Sequence, residues 1–282
     1  MQKHDTIKIS IKDLPERVNQ LHNPIKNLSA KGNLHLLNTG KRVGIVGARK
    51  FTPYGREVTA SIATALARAG VTIVSGLALG IDSIAHKACV DAGGKTIAVL
   101  PSGLNKIYPS SHRQLADQIL DKNGLLISEY LPDHLPMRHD FIERNRIIAA
   151  LSDILIITEA ATASGSLHTA GFALELGINI MAVPGQITSP YSAGTNQLIQ
   201  NGAYPILNTD DVLQALGINS QQIAYLPENE AENQILKALK TPSTTDELIE
   251  KTKLSLTVLQ VQLTMLEIKG AVESRTGQWH KK

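Results

Sequence analysis

Residues 42–49 read RVGIVGAR, 71–76 VTIVSG, 95–100 KTIAVL, 125–130 LLISEY, 153–160 DILIITEA and 178–185 INIMAVPG. These six β-branched runs decide the fold. Each is almost continuously apolar, the pattern of a strand buried on both faces, whereas a strand with one wet face alternates apolar and polar residues. Amphipathic stretches of about ten to fifteen residues separate them. In GREVTASIATALARAG (55–70), for example, Val58, Ile62, Leu66 and Ala69 fall on one face and Gly70 ends the helix. Strand and helix in steady alternation imply an α/β chain with a doubly wound parallel sheet, closing near Leu216.

Working outward, residues 217–230 (GINSQQIAYLPENE) lose the periodicity and read as a linker. Residues 231–282 then form a second, small domain. Its first helix carries Ile235, Leu236 and Leu239. Its second begins at a capping box, Thr244 followed three residues later by Glu247. A third places Leu256, Leu259, Leu263 and Leu266 on one face, and after Gly270 the segment AVESRTGQWHKK suggests a two-stranded wing turning at Thr276 and Gly277. Three helices and a wing make a winged helix. The division is therefore a basic extension packing on the core (1–40), a sheet domain (41–216), the linker and the winged-helix-like domain.

The 282 residues, 43% hydrophobic and 19% charged, suit one large soluble domain and one small one. The single cysteine, Cys89, excludes a disulfide framework and any thiolate-rich metal site, and points to a reducing, cytoplasmic compartment. No apolar run reaches the roughly 18 residues of a membrane span, and the start MQKHDTIKISIKDLPERV has no signal-peptide core. Net charge is uneven. Residues 1–50 hold ten Lys or Arg against Asp5, Asp13 and Glu16, giving +7; residues 51–215 hold ten against fourteen, giving −4; the remainder holds eight of each. A basic start suits either a polyanion partner or a solvated arm.

The loops after the strands are more telling. GAR (47–49), SGLALGID (75–82), PSG (101–103), ATASGSLHTA (161–170) and PGQ (184–186) all fall on the carboxyl rim of a parallel sheet, where ligands bind. A Gly- or Ser-rich loop entering a helix presents free N–H groups to an anion. Any one such loop is explained by a sharp turn; five on one rim suggest a phosphate-reading surface. A dinucleotide site is disfavoured, because G-x-G-x-x-G spacing is missing after the first strand and no acidic residue ends the second. A Walker loop and a G-x-S-x-G nucleophile elbow are absent. Asp82 and His86, four apart on a helix, invite a metal, but no third ligand is evident and a helix-start Asp is explained by capping. No cofactor or metal is expected. The segment PMRHDFIERNRIIAALS (136–152) gathers Arg138, Arg144 and Arg146 around Phe141 and Asn145. It reads as a helix face paired to Asp140 and Glu143, or as nucleic-acid chemistry, with guanidinium on phosphate and a ring on a base.

The succession VGIVGARKFTPYG, VSGLALGIDSIAHKACVDAGGKTIAVLPSGLNKIYP, RNRIIAALSDILIITEAATASGSLHTAGFAL and AVPGQITSPYSAGTNQLI resembles the DNA-processing protein A (DprA/Smf) family over residues 13–280. The resemblance implies an extended Rossmann-like sheet domain followed by a winged helix. It also implies no catalytic activity but binding of incoming single-stranded DNA in natural transformation, its protection, and loading of the RecA recombinase by a homodimer. Carried onto this chain, it places Gly47 and Arg49, Arg138, Phe141, the RNR run Arg144, Asn145 and Arg146, and the loop Ser164, Gly165, Ser166 in the strand-binding pocket. Two departures stand out. Many relatives have an extra helical N-terminal domain, whereas this sequence starts almost at the core. Ser110 follows Tyr108 and Pro109 where some relatives have lysine, so a phosphate contact is either lost or shifted to Arg113. The rival reading is a related Rossmann-type nucleoside monophosphate phosphoribohydrolase, but its P-G-G-x-G-T loop and glutamate are replaced here by SGSLHTA, so acid–base chemistry lacks its carboxylate. In the winged helix, Ser255, Thr257, Gln260, Gln262, Thr264 and Glu267 line the polar side of the third helix with no cation before Lys269, a poor set for reading duplex DNA and as suitable for a protein contact.

Overall fold

The computed structural model describes residues 5–219, 227, 229–268, 271–275 and 277–281. The chain divides into two compact units, Met1–Ile218 and Asn219–Lys282. Within unit one the strands are β1 (Ile7–Ile9), β2 (Leu28–Gly32), β3 (Arg42–Val46), β4 (Thr72–Ser75), β5 (Thr96–Leu100), β6 (Leu125–Ser128), β7 (Ile154–Ile157), β8 (Asn179–Ala182) and β9 (Tyr204–Pro205). The helices between them are α1 (Pro53–Arg68), α2 (Ile81–Asp91), α3 (Arg113–Asp121), α4 (Asp140–Ala150), α5 (Ser166–Glu175), α6 (Ala193–Gln200) and α7 (Thr209–Ala215). The sheet order is β1-β2-β6-β5-β4-β3-β7-β8-β9, with β3 through β9 all parallel.

All six apolar runs are strands of this sheet, and its two faces explain their composition. Ile97, Val99, Leu125 and Ile127 join one core with Ile147 and Ile148 of α4 and Ala170 and Ala173 of α5. Ala98, Leu100 and Leu126, pointing the other way, join a second core with Val90, Ala116 and Ile119 from α2 and α3. Successive strand residues face opposite sides, so burial of both faces demands an unbroken apolar run. In α1, Ile62 and Leu66 are buried as the periodicity requires. The helix stops at Gly70, whose φ of +74° is the left-handed conformation a glycine end cap supplies.

The basic first forty residues do more than pack on the core. β1 pairs with β2, and β2 pairs antiparallel with β6 at Ala30↔Ile127, extending the sheet by two strands. Part of the expected surface charge is used internally: Lys31 donates to Leu104 O and Asn105 Oδ1, Arg17 to Ser152 O, and Arg42 to Leu151 O.

Unit two contains α8 (Glu230–Ala238), α9 (Thr245–Thr252), α10 (Leu256–Ile268) and the antiparallel hairpin β10 (Val272–Arg275) and β11 (Gln278–Lys281). The Thr244–Glu247 capping box forms reciprocally. Ile235, Leu236, Leu239, Leu259, Leu263 and Leu266 belong to the core, but Leu256, expected there, is half exposed at the first position of the helix. A bridge from Ser243 to Trp279 ties the wing to the turn before α9. Most of the expected linker (220–226 and 228), Lys269, Gly270 and the turn residue Thr276 lie outside the described residues. Among the described residues no helix is long and apolar enough to cross a membrane.

Candidate nucleic-acid interface

The sheet order reverses between β3 and β7: from β3 it runs outward through β4 to β6, and from β7 through β8 to β9. A crevice opens at the carboxyl ends of the strands at such a switch point. There the chain forms a pocket of about 800 Å³, a size typical of ligand sites. Its walls come from the β3–α1 turn, the start of α2, the N-terminal half of α4, the β7–α5 loop, and the single residues Tyr108 and Tyr191.

The turn after β3 is held open by close approach to its neighbours. Gly80 has φ +87°, and a side chain there would collide with the carbonyls of Ala48 and Arg49, so glycine alone lets the second loop lie beneath the first. Arg49 is exposed and sets its guanidinium 4.7 Å from the centre of the Phe141 ring. Tyr108 meets the same ring edge-on at 5.6 Å. On the opposite wall Ser164 and Ser166 share a hydroxyl hydrogen bond of 2.8 Å, and Asn145 Nδ2 donates to Gly165 O, fixing the loop at the N-terminus of α5. Thr169, one turn further on, lines the pocket with a fully buried Oγ1 that has no hydrogen-bond partner among the described residues.

Charge in the pocket is one-sided. Its lining holds Arg49, Lys50, Arg138 and Arg144 against one carboxylate, Asp82. Asp82 is itself occupied: Oδ2 accepts from Gly76 N at 3.0 Å. Burial raises its pKa, while Arg144 and the N–H groups of Ala78 and Gly76 pull it down. Burial lowers Arg144 to about 10, with Asp82 opposing and Arg49 adding to the drop. The guanidinium therefore stays charged near neutral pH. Such a pocket selects an anion, and with aromatic faces beside the cations it can hold phosphate and base together.

Nine of the eleven sequence-derived residues thus converge: Gly47, Arg49, Arg138, Phe141, Arg144, Asn145, Ser164, Gly165 and Ser166. Arg144 does so from beneath. Only 3% exposed, it donates to the carbonyls of Gly76 and Val99, and a side chain at Gly76 would overlap the guanidinium, so it braces the floor and does not face outward. Arg146, last of the RNR run, is instead buried in ion pairs with Glu129 and Glu143. Arg113 does not reach the pocket. The ring of His112 donates to Leu77 O, which anchors the start of α3 against the second loop and leaves Arg113 exposed outside the lining. The PSG and PGQ loops also fall outside it. The chain after Ser102 is bound to the 131–134 segment by Gly103 N→His134 O and Asn105 N→Pro132 O, and Gly185 is paired with Asn196. Lys50, Tyr108, Thr169 and Tyr191 line the pocket without having been singled out. Lys50 and Tyr108 were within reach of reasoning, one adjoining Arg49 and the other lying in the NKIYP motif. Tyr191 lies in the AVPGQITSPYSAGTNQLI stretch, where no neighbouring cation marks it, and the fold brings it to the pocket. His86, considered with Asp82 as a metal ligand, is buried with Nδ1 on Thr96 Oγ1 at 2.7 Å, and burial depresses it to about 3.

A family model described as DNA recombination-mediator protein A matches residues 5–217, and another described as DprA winged helix domain matches residues 220–278. The DNA processing protein DprA of Bacillus subtilis is 42% identical over 212 residues, spanning 75% of this chain and 71% of that protein. DNA processing protein A from Helicobacter pylori, solved for its single-stranded DNA binding mode, superposes with a TM-score of 0.69 at 34% identity, covering 76% of this chain and 96% of that one. The DprA structure from Streptococcus pneumoniae gives the same TM-score at 39% identity, covering 76% and 74%. With both units matched by family models and the sheet unit by solved relatives, the chain belongs to the DprA/Smf family of DNA-processing, recombination-mediator proteins.

Proposed function

We propose that this chain binds single-stranded DNA in the switch-point pocket, with Arg49, Lys50 and Arg138 on phosphates, Phe141 and Tyr108 against bases, and the Ser164–Ser166 loop on a further phosphate. The observation that carries the reading is the one-sided charge of a pocket that also holds an aromatic pair beneath Arg49. The H. pylori relative, described for single-stranded DNA binding, supports it. In this reading the chain acts as a non-catalytic homodimer in the cytoplasm, shielding a strand and delivering it to a RecA-type recombinase. The pocket's one carboxylate is committed to backbone N–H groups and an arginine, which suits a binding role better than hydrolysis of a nucleotide.

The test is a titration of labelled oligothymidylate at several salt concentrations, beside a blunt duplex of equal length. Single strands should bind more tightly. With about four phosphates engaged, log affinity should fall against log salt with a slope of about −3. Equal affinity for duplex, or a flat salt response, would overturn the proposal. Release of adenine from AMP would replace it with the phosphoribohydrolase reading.

A further inference from the structure

Helix α10 carries two apolar faces where a winged helix needs one. Leu259, Leu263 and Leu266 point into the core of unit two and are at most 1% exposed. On the other side stand Val258, Val261, Met265 and Ile268, exposed by 42, 55, 47 and 76%. Their spacings of three, four and three residues are those of the a and d positions of a heptad, the seam by which one helix packs along another. Large aliphatic side chains scattered singly over a surface need no explanation, but a continuous stripe marks a contact site. Nucleic acid is a poor occupant, because Leu256–Ile268 contains no cation.

We propose that this stripe is a self-pairing surface, joining antiparallel, about a twofold axis, with α10 of a second copy of the chain. The stripe is symmetric about position 263, so turning one helix end for end lays Val258 on Ile268 and Val261 on Met265 of the other. An isologous contact requires this self-complementarity. The flanking positions agree. Thr257, Gln262 and Thr264 border the seam, and all are uncharged. Charges at such positions ordinarily select one partner and repel another. Between Leu256 and Ile268 their absence removes the like-charge repulsion that would bar a copy from meeting itself; the next flanking position, Lys269, lies outside the described residues. Four side chains per copy make a small contact, well under about 1,200 Å², which places it in the weak class. It therefore acts when two copies are already held close, where a short separation supplies a high effective concentration. Nothing in this contact depends on what the pocket in unit one binds.

Disulfide trapping in the full chain tests it. Val261→Cys and Met265→Cys proteins are prepared separately, mixed in equal amounts and mildly oxidised. Cys89 is silent in this experiment, being buried with its thiol pushed up to about 12. The mixture should yield at least tenfold more linked dimer than either protein alone or than the off-seam variant Gln260→Cys. No excess in the mixture would overturn the proposal. Efficient linking of Val261→Cys to itself would overturn the antiparallel register. Because Val261 is exposed, Val261→Asp should leave the thermal midpoint of the dilute protein unchanged. A fall of several degrees would mean that the stripe is covered by its own chain, and would also count against the proposal.

Discussion

Three arginines within a few residues of one another in space have different work to do, and exposure separates them. Arg49 and Arg138 are exposed at the pocket rim, and among the described contacts Arg49 touches the Phe141 ring. Replacing either with Ala should weaken oligothymidylate binding by roughly 1.5–3 kcal/mol, the range for hydrogen bonds to a charged group, with little change in thermal midpoint. An unchanged affinity would remove that arginine from the site. Arg144 should behave in the opposite way. Its guanidinium is enclosed between the Gly76 and Val99 carbonyls and beside buried Asp82. Arg144→Met strips two carbonyls of their donor and leaves a buried carboxylate without its counter-charge, which costs about 3–5 kcal/mol. The urea midpoint should fall with the slope unchanged. A variant as stable as the parent that binds DNA poorly would return Arg144 to the phosphate contacts.

The element that presents Arg138 and Phe141 is the entry into α4, and one carboxylate organises it. Asp140, 2% exposed, accepts from Met137 N at 2.8 Å and from His134 Nε2 at 2.7 Å, with His139 Nε2 at 3.0 Å. The His134 ring is stacked on Tyr130. Burial pushes the Asp140 pKa up, but hydrogen bonds from His134, Met137 and Tyr130, with the nearby His139 charge, outweigh it and hold the group below 3.8. A carboxylate with a depressed folded-state pKa stabilises in full above its ordinary value, and that stabilisation is lost as pH falls through the folded value. Asp140→Asn should therefore be less stable than the parent at neutral pH, and the gap should close below about pH 4. Urea unfolding at about pH 7, 5 and 3 measures it. A gap independent of pH would show that the carboxylate's shape matters and its charge does not.

At the scale of the molecule the two units make separable contributions. Every residue assigned to the pocket precedes Ser192, and unit two has eight cations and eight carboxylates, so it adds no long-range pull on a polyanion. Unit one also holds both sheet cores within itself. A chain ending at residue 218 should fold, by circular dichroism, and bind oligothymidylate within about threefold of the full chain at one salt concentration. A loss of tenfold or more in a folded fragment would bring the winged helix into the binding site. The same truncation removes α10, so it should also abolish any self-association carried by the Val258–Ile268 stripe while leaving the pocket intact.

Much of this was written in the sequence because burial on both faces leaves an unmistakable record. Six apolar runs became six strands, and with one parallel direction the loops after them had to share a rim, so Gly47, Arg49 and the Ser164–Ser166 loop could be placed together from the sequence alone. Side-chain direction left no such record. Arg138 and Arg144 sit six residues apart in one motif, but Arg138 precedes α4 and is exposed, whereas the packing of α4 on the sheet buries Arg144. Arg113 lies on the right rim by topology, yet its side chain is exposed outside the pocket lining, beside His112, whose ring donates to Leu77 O. In α10 the polar residues noted in the sequence are present, but Val258, Val261, Met265 and Ile268 between them are exposed, which only the position of the helix against its own core could decide. Local periodicity determines which segments are strands and helices; which face of each meets water depends on neighbours distant in the chain, and that the tertiary structure alone decides.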